Sequence, residues 1–234
     1  MDPLLITAAS GMKARMESLD LLANNIANSG TTGFKADQEF YSTLRDELPL
    51  IESRWTDFRQ GTIQPTGNPL DIALEGDGFF ALNSPTGIVY TRNGSLHVTP
   101  QNQLATPEGY TVRNTLNNGQ PIAVDPNLAI DIDRDGIVRQ NGQEIGQLEL
   151  ASFTDPAVLS KLGSSYFAHS NRAGAATASK AVVRQGAVEQ SNVAPADASI
   201  RLISVMRQFE MLQRAMSIGA EMNKRAIDEV ARAS

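Results

Sequence analysis

Both ends of the chain carry the same apolar spacing, and the long middle does not. Near the start, Leu5, Ala9, Met12, Met16, Leu19, Ala23 and Ile26 recur at intervals of 4, 3, 4, 3, 4 and 3. Near the end, Ala198, Leu202, Val205, Phe209, Leu212, Met216 and Gly219 repeat that order. Such intervals draw one apolar strip along a helix, because residues three and four apart share a face. Amphipathic ends around a non-helical middle predict that the ends pair, with each other or with other subunits. A chain built this way is organised for assembly before chemistry.

The first helix is expected over residues 3–28, with Pro3 in the first turn, where its missing N–H costs nothing. Helix and turn together make an N-terminal segment, 1–30. Asn28, Gly30 and Gly33 then end the helix, since each tolerates positive φ. A linker or arm follows over 31–65. There Phe34, Phe40, Tyr41, Leu44 and Leu48 suggest a short helical or extended stretch before Pro49. Trp55 and Phe58 come next in polar surroundings, either as local core or, if exposed, as interface anchors. The last helix starts near Pro195 or Asp197, inside a C-terminal segment 191–234. Gly219 and Asn223 weaken it; a helix-interior glycine costs about 1 kcal/mol against alanine and permits close approach of a neighbour.

Over 66–190 the period drops to two and turn residues multiply. Ile72 with Leu74, Phe79–Leu82 and Ile88–Tyr90 read as short strands. Asn93-Gly94 is a tight-turn signal between Tyr90-Thr91 and Leu96–Val98. Pro107–Gly109 turns the chain before Tyr110–Val112, Asp135-Gly136 joins Ile130–Ile132 to Ile137-Val138, and Gln147–Phe153 alternates. Ala173–Ser179 is small, weakly patterned and expected as a loop. The fold class expected is α+β: long N- and C-terminal helices pairing as a coiled-coil-like α layer, with an all-β central domain.

Composition removes several functions. There is no cysteine, so no disulfide, thiol nucleophile or thiolate zinc site. Twenty basic against 26 acidic residues leave a net charge of −6, with no basic stripe for nucleic acid. No apolar run is long enough for a membrane span. The start, Met1–Leu5, has no basic segment before its apolar residues, so a cleaved signal peptide is not expected.

The motifs that imitate chemistry fail on context. Asp131, Asp133, Asp135 and Gly136 open like a calcium loop, but the twelfth position is Gly142 where a bidentate Glu belongs. Gly76–Ala81 fits a loose G-x-G-x-x-A, yet strand and turn follow where a dinucleotide site needs a helix. His97 and His169 have no ligand-spaced partner, and the acidic pair Asp46-Glu47 has no special setting. No catalytic residue, metal site or cofactor is assigned, and an enzyme is not expected.

Four ordered blocks carry a resemblance. Leu22–Lys35 (LANNIANSGTTGFK) resembles the N-terminal signature of bacterial flagellar rod and hook proteins. Gly67–Phe80 (GNPLDIALEGDGFF), Tyr90–Leu96 (YTRNGSL) and Gln185–Val193 (QGAVEQSNV) are similar to that family's following blocks, in the same order. The size and the β middle resemble rod rather than hook proteins. Met1-Asp2 and Arg207–Met211 resemble the proximal-rod branch; distal-rod relatives carry an Arg-Ala-Tyr-Glu-type sequence at the second place.

The resemblance implies a structural subunit that polymerises into the tubular drive shaft of the basal body. Its terminal helices would form an inner α-helical layer with β-rich domains outside. Leu5, Ala9, Met12, Met16, Leu19, Ala23 and Ile26, with Leu202, Val205, Phe209, Leu212 and Met216, become assembly-interface residues. Asn25, Asn28, Thr32, Gly33 and Phe34 become a signature turn, with amides and hydroxyl bonding backbone or neighbours. Implied partners are other rod proteins, copies of itself and the flagellar type III export apparatus, which takes the chain out to the periplasmic rod without a cleaved signal. A distal-rod subunit, or a β-rich binding module with helical oligomerisation arms, stays open as an alternative.

Overall fold

A computed structural model describes residues 3–42, 50–163, 165–169 and 177–233; of these, the side chains at 3–8, 40–42, 50–53, 226–227 and 229–233 lie outside the description. The chain divides into two units. One holds Met1–Ala27, Asp37–Asp57 and Ala194–Ser234; the other holds Asn28–Ala36 and Phe58–Val193.

In the first unit, α1 (Pro3–Ala27) packs against α2 (Pro195–Ala233). At 1.5 Å per residue they run roughly 38 Å and 58 Å. Leu, Met and Ala dominate α1, and Pro3 opens it. Pro195 opens α2, and Asp197 in its first turn suits the positive end of the helix dipole. The arm residues form an antiparallel hairpin, Asp37–Ser42 with Leu50–Thr56, irregular at Phe40/Tyr41. The arm is therefore extended; Leu44, Leu48, Pro49 and the pair Asp46-Glu47 lie outside the described residues.

The second unit is β-rich. Among the described residues, nine strands make its main sheet. Phe79–Ser84 lies at the centre, flanked by Gly87–Thr91 and by the short strand Thr111–Val112. Tyr166–His169 extends the sheet beyond Gly87–Thr91. A three-stranded sheet joins Asp131–Ile132, Ile137–Gln140 and Gln143–Gln147. Val182–Gln185 pairs with Ile72–Glu75, and Ala187–Glu189 with Ile63–Pro65.

Alternation explains how the central strand is covered on both faces. Phe80 and Leu82 enter one core with Ile72, Leu74, Val112, Ile122, Val138 and Leu148. Phe79 and Ala81 point the other way, into a cluster with Tyr90, Phe153 and Phe167. Phe58 joins that second cluster, its ring 5.1 Å from Phe167 and 5.6 Å from Phe79, edge on. It is local core, whereas Trp55 stays 49% exposed.

Several local expectations hold. Gly109 turns at φ +87°, and Asp135-Gly136 closes a hairpin with Gly136 at φ +77°. Two others are corrected. Asn93-Gly94 is not a hairpin turn: Gly87–Thr91 pairs with Phe79–Ser84 and Tyr166–His169, while His97–Val98 pairs with Leu104–Ala105. Gly94 serves close approach instead, since a Cβ there would fall 1.8 Å from the Ile72 carbonyl oxygen. In the expected loop 173–179, Thr177–Ala178 is a short strand on Leu150–Ser152, and 173–176 lie outside the described residues.

Candidate assembly interface

The helix pair leaves much of the apolar strip of α1 in solvent. Met16 is 54% exposed, and Ala9 and Ala23 are exposed. Met12, Leu19 and Ile26 are half-buried, and the Leu5 side chain is outside the described residues. The deeply buried face of α1 is Gly11, Ala14, Ser18, Leu21, Leu22 and Asn25. Small residues at 11, 14 and 18 let another helix come near: a Cβ at Gly11 would stand 3.5 Å from Leu212 Cδ1. On α2 the expected residues Leu202, Val205, Phe209, Leu212 and Met216 are half-buried, and so is Gly219.

α2 has a second apolar face. Ile200, Ile203, Met206, Met211, Ile218 and Met222 are all exposed, Ile200 to 67% and Met222 to 66%. At about 100° per residue, Ile200, Met211, Ile218 and Met222 fall within about 40° of one another, on the side away from Phe209 and Met216. Ile200, Ile203, Met211, Arg207 and Gln208 line a shallow groove there. One partner helix cannot cover opposite faces of the same helix, so in the isolated chain this strip stays bare.

The signature segment is built from hydrogen bonds of two kinds. In the helical unit, buried Asn25 works like a strand partner: its Nδ2 donates to the Asp37 carbonyl at 2.7 Å, and the Asp37 N–H donates to its Oδ1 at 3.0 Å. In the β-rich unit, the Thr31 N–H donates to the Asn28 carbonyl at 3.1 Å, and the Thr31 hydroxyl to Asn28 Oδ1 at 3.2 Å. That hydroxyl is Thr31's, where the sequence suggested Thr32; Thr32 is half-buried. Gly33 takes φ +68°, and a Cβ there would lie 2.3 Å from the Asn93 nitrogen. Phe34 is 1% exposed, its ring capped by the Lys161 ammonium at 4.0 Å, which also donates to the Lys35 carbonyl at 2.8 Å.

Beyond Phe34 the chain reaches a sealed charge cluster. Lys35 Nζ donates to Glu189 Oε1 at 2.7 Å and to the Arg59 carbonyl at 2.6 Å. Arg92 Nη1 donates to Glu189 Oε2 at 3.1 Å, and Nη2 to the Gly76 carbonyl at 2.6 Å. The Gly61 N–H adds a third donor to that carboxylate at 2.9 Å. All three charged side chains are within 3% of complete burial. Burial lowers the Arg92 pKa from its ordinary value, with the Glu189 charge opposing that shift. The guanidinium also lies 5.4 Å over the Phe79 ring.

The cluster collects one part of every sequence block: Gly33–Lys35 from the first, Gly76 from the second, Arg92 and Asn93 from the third, Glu189 from the fourth. Blocks scattered along the chain thus meet at one buried junction. Comparison with known proteins matches three stretches of the chain to flagellar families. Residues 5–35 match the family described as "Flagella basal body rod protein", 73–140 the "Flagellar hook protein FlgE/F/G D1 domain", and 184–229 the "Flagellar basal body rod FlgEFG protein C-terminal". The flagellar basal-body rod protein FlgF of Mesorhizobium japonicum is 33% identical, with 95% of each chain covered.

The chain belongs to the flagellar basal-body rod protein family. FlgF of Caulobacter vibrioides is similarly related, 30% identical over 98% of both chains. FlgG of Borreliella burgdorferi is 30% identical over 93% of this chain and 95% of its own. For a rod-family chain the sequence reading missed Lys35, Arg92 and Glu189 as a unit. The signal was there, since each lies in a block of resemblance. A charged residue inside an apolar strand such as Ala187–Glu189 asks for a buried counter-charge.

Asp133, His169 and Gly78, each from a motif that imitates chemistry, have structural contacts. The Asp133 carboxylate accepts the Ile137 and Asp135 N–H groups and Arg139 Nη1. Burial acts to raise its pKa, but these donors outweigh it and hold Asp133 below the usual carboxylate value. His169 stacks on Phe153 at 5.6 Å between centroids. Gly78 makes room for the Ser179 hydroxyl, which donates to the Asp77 carbonyl at 2.6 Å. No described helix is long and apolar enough to cross a membrane.

Proposed function

We propose that this chain is a structural subunit of the flagellar basal-body rod, polymerising through α1 and α2, with its place in the proximal segment. The observation that carries the reading is the bare strip Ile200, Ile203, Met211, Ile218 and Met222, on the face of α2 opposite the residues half-buried in the helix pair. Covering one such side chain contributes about 1.5–3 kcal/mol. Several per subunit, repeated at every contact, offset the entropy of ordering and association. Met12, Met16, Leu19, Ala23 and Ile26 of α1 add a second strip to the same layer, which packs as a coiled-coil-like array of neighbouring helices.

Partners are other rod proteins and further copies of this chain. The same proposal includes export by the type III route without a cleaved signal, and a role with no cofactor and no catalysis. The likeness to two FlgF proteins, at 30% and 33% identity along nearly the whole of each chain, supports the proximal position. The equal identity to FlgG of Borreliella burgdorferi supports a distal position as the second reading.

The test is the triple substitution Ile200→Asp, Met211→Asp, Ile218→Asp, with Leu19→Asp as a separate variant. Both are expected to keep the β circular dichroism and to lose association, leaving truncated rods when basal bodies are imaged. Wild-type rod length from the triple variant would overturn the reading.

A further inference from the structure

We propose that Met16 on α1 and Met211 and Met222 on α2 are oxidation sites of the unassembled chain, where conversion to methionine sulfoxide keeps the apolar strips from docking until the sulfoxide is reduced. The block on docking rests on the polymerisation proposed for these helices; the oxidation sites rest on exposure alone.

All seven methionines lie in the terminal segments, at 1, 12, 16, 206, 211, 216 and 222, and residues 17–205 hold none. Among those described, Met16, Met206, Met211 and Met222 are exposed, none to less than 47%. Met12 and Met216 are half-buried. An oxidant in water therefore reaches the exposed set first. The chain has no cysteine, so no thiol competes for that oxidant. Position then separates the exposed four. Met211 and Met222 fall on the bare strip of α2 with Ile200 and Ile218, whereas Met206 lies about 120° round the helix from Ile200. Met16 continues the exposed positions Ala9 and Ala23 on α1.

With a peroxide as oxidant the step balances. The thioether sulfur attacks one peroxide oxygen, the O–O bond breaks, an S–O bond forms, and water leaves after proton transfer. Sulfur gives up two electrons and the peroxide takes them. A flexible apolar side chain becomes a polar one whose oxygen is a hydrogen-bond acceptor. Burying that oxygen without a donor opposes docking. Ile200, Ile203 and Ile218 beside it supply no side-chain donor. Arg207 and Gln208 border the groove, and a donor drawn from either would bring a charge or an amide onto the strip instead. Enzymatic reduction returns the thioether, so the block is reversible.

Dilute hydrogen peroxide acting on the full chain, followed by peptide mass spectrometry and sedimentation, tests both parts. Met16, Met206, Met211 and Met222 are expected to be largely oxidised while Met12 and Met216 remain largely intact. Equal progress at exposed and half-buried methionines would overturn the sites. At that stage association is expected to weaken by about tenfold or more, the loss from leaving one apolar side chain uncovered. It is expected to return after treatment with the two methionine sulfoxide reductases, one for each epimer. The combined variant Met16→Leu, Met211→Leu, Met222→Leu, compared with itself before and after peroxide, is expected to show no such fall. Met206→Leu is expected to show it in full. Oxidised wild type that associates as before, or a fall that persists in the combined variant, would overturn the block. Untreated chain that stays monomeric at every concentration would overturn the polymerisation, and the block with it, while the order of oxidation would still decide the sites.

Discussion

Lys35 and Glu189 lie 154 positions apart in the chain and meet at 2.7 Å, with both side chains sealed from solvent. Arg92 closes on the same carboxylate from the third block. Replacing Glu189 with Ala removes the buried carboxylate that both Lys35 and Arg92 bond, and is expected to cost about 3–5 kcal/mol. Arg184→Ala breaks a pair with Glu75 that is half exposed on both sides and is expected to cost less than about 1 kcal/mol. Urea unfolding of the two variants against wild type measures the contrast.

Gly33 and Gly30 separate conformational need from mere sequence pattern. Gly33 combines φ +68° with a Cβ position 2.3 Å from the Asn93 nitrogen, whereas Gly30 has nothing within 4 Å. Gly33→Ala should destabilise by about 2 kcal/mol or more, and Gly30→Ala should stay within about 0.5 kcal/mol of wild type. Thermal unfolding of both proteins decides it; equal effects would refute the steric account of the signature.

Asn25 holds the Asp37 backbone with donor and acceptor at once. Asn25→Ala strands both groups and should cost about 1–3 kcal/mol. Asn25→Asp keeps an acceptor but loses the donor to the Asp37 carbonyl, so it should not rescue fully. Exchange of the Asp37 amide is the local readout, and wild-type protection in Asn25→Ala would count against the role.

Tyr166 links stability to alkaline pH. Burial raises its pKa above the ordinary value of 10, and the bond its hydroxyl donates to Glu108 raises it further. The unfolded chain therefore releases this proton at lower pH than the folded one. The contribution is complete below about pH 10 and is lost as pH rises toward the higher folded-state value. Tyr166→Phe should show a shallower fall in stability between about pH 9 and 11. Urea midpoints across that range test it; parallel curves would mean that Tyr166 does not titrate with unfolding.

Much of the fold was legible because the signals are local. A helix expected over 3–28 is found as Pro3–Ala27, and one expected from Pro195 or Asp197 begins at Pro195. The glycine turns at 109 and 136 were readable for the same reason, since positive φ is a property of one residue. Asn93-Gly94 misled because a hairpin signal presumes that the flanking strands pair with each other. Both flanks found other partners, and Gly94 instead accommodates the Ile72 carbonyl.

The amino-acid sequence by itself determined the two terminal helices, the β character of the middle and the family, because periodicity, turn chemistry and ordered blocks are all written along the chain. Only the tertiary structure decided that the blocks converge on Glu189, that Gly11, Ala14 and Ser18 lie on the deeply buried face of α1, and that α2 keeps a second apolar face in solvent. Periodicity identifies an apolar face; which face is covered depends on how closely a distant segment can approach, and that is settled by side-chain volume and buried charge at the contact.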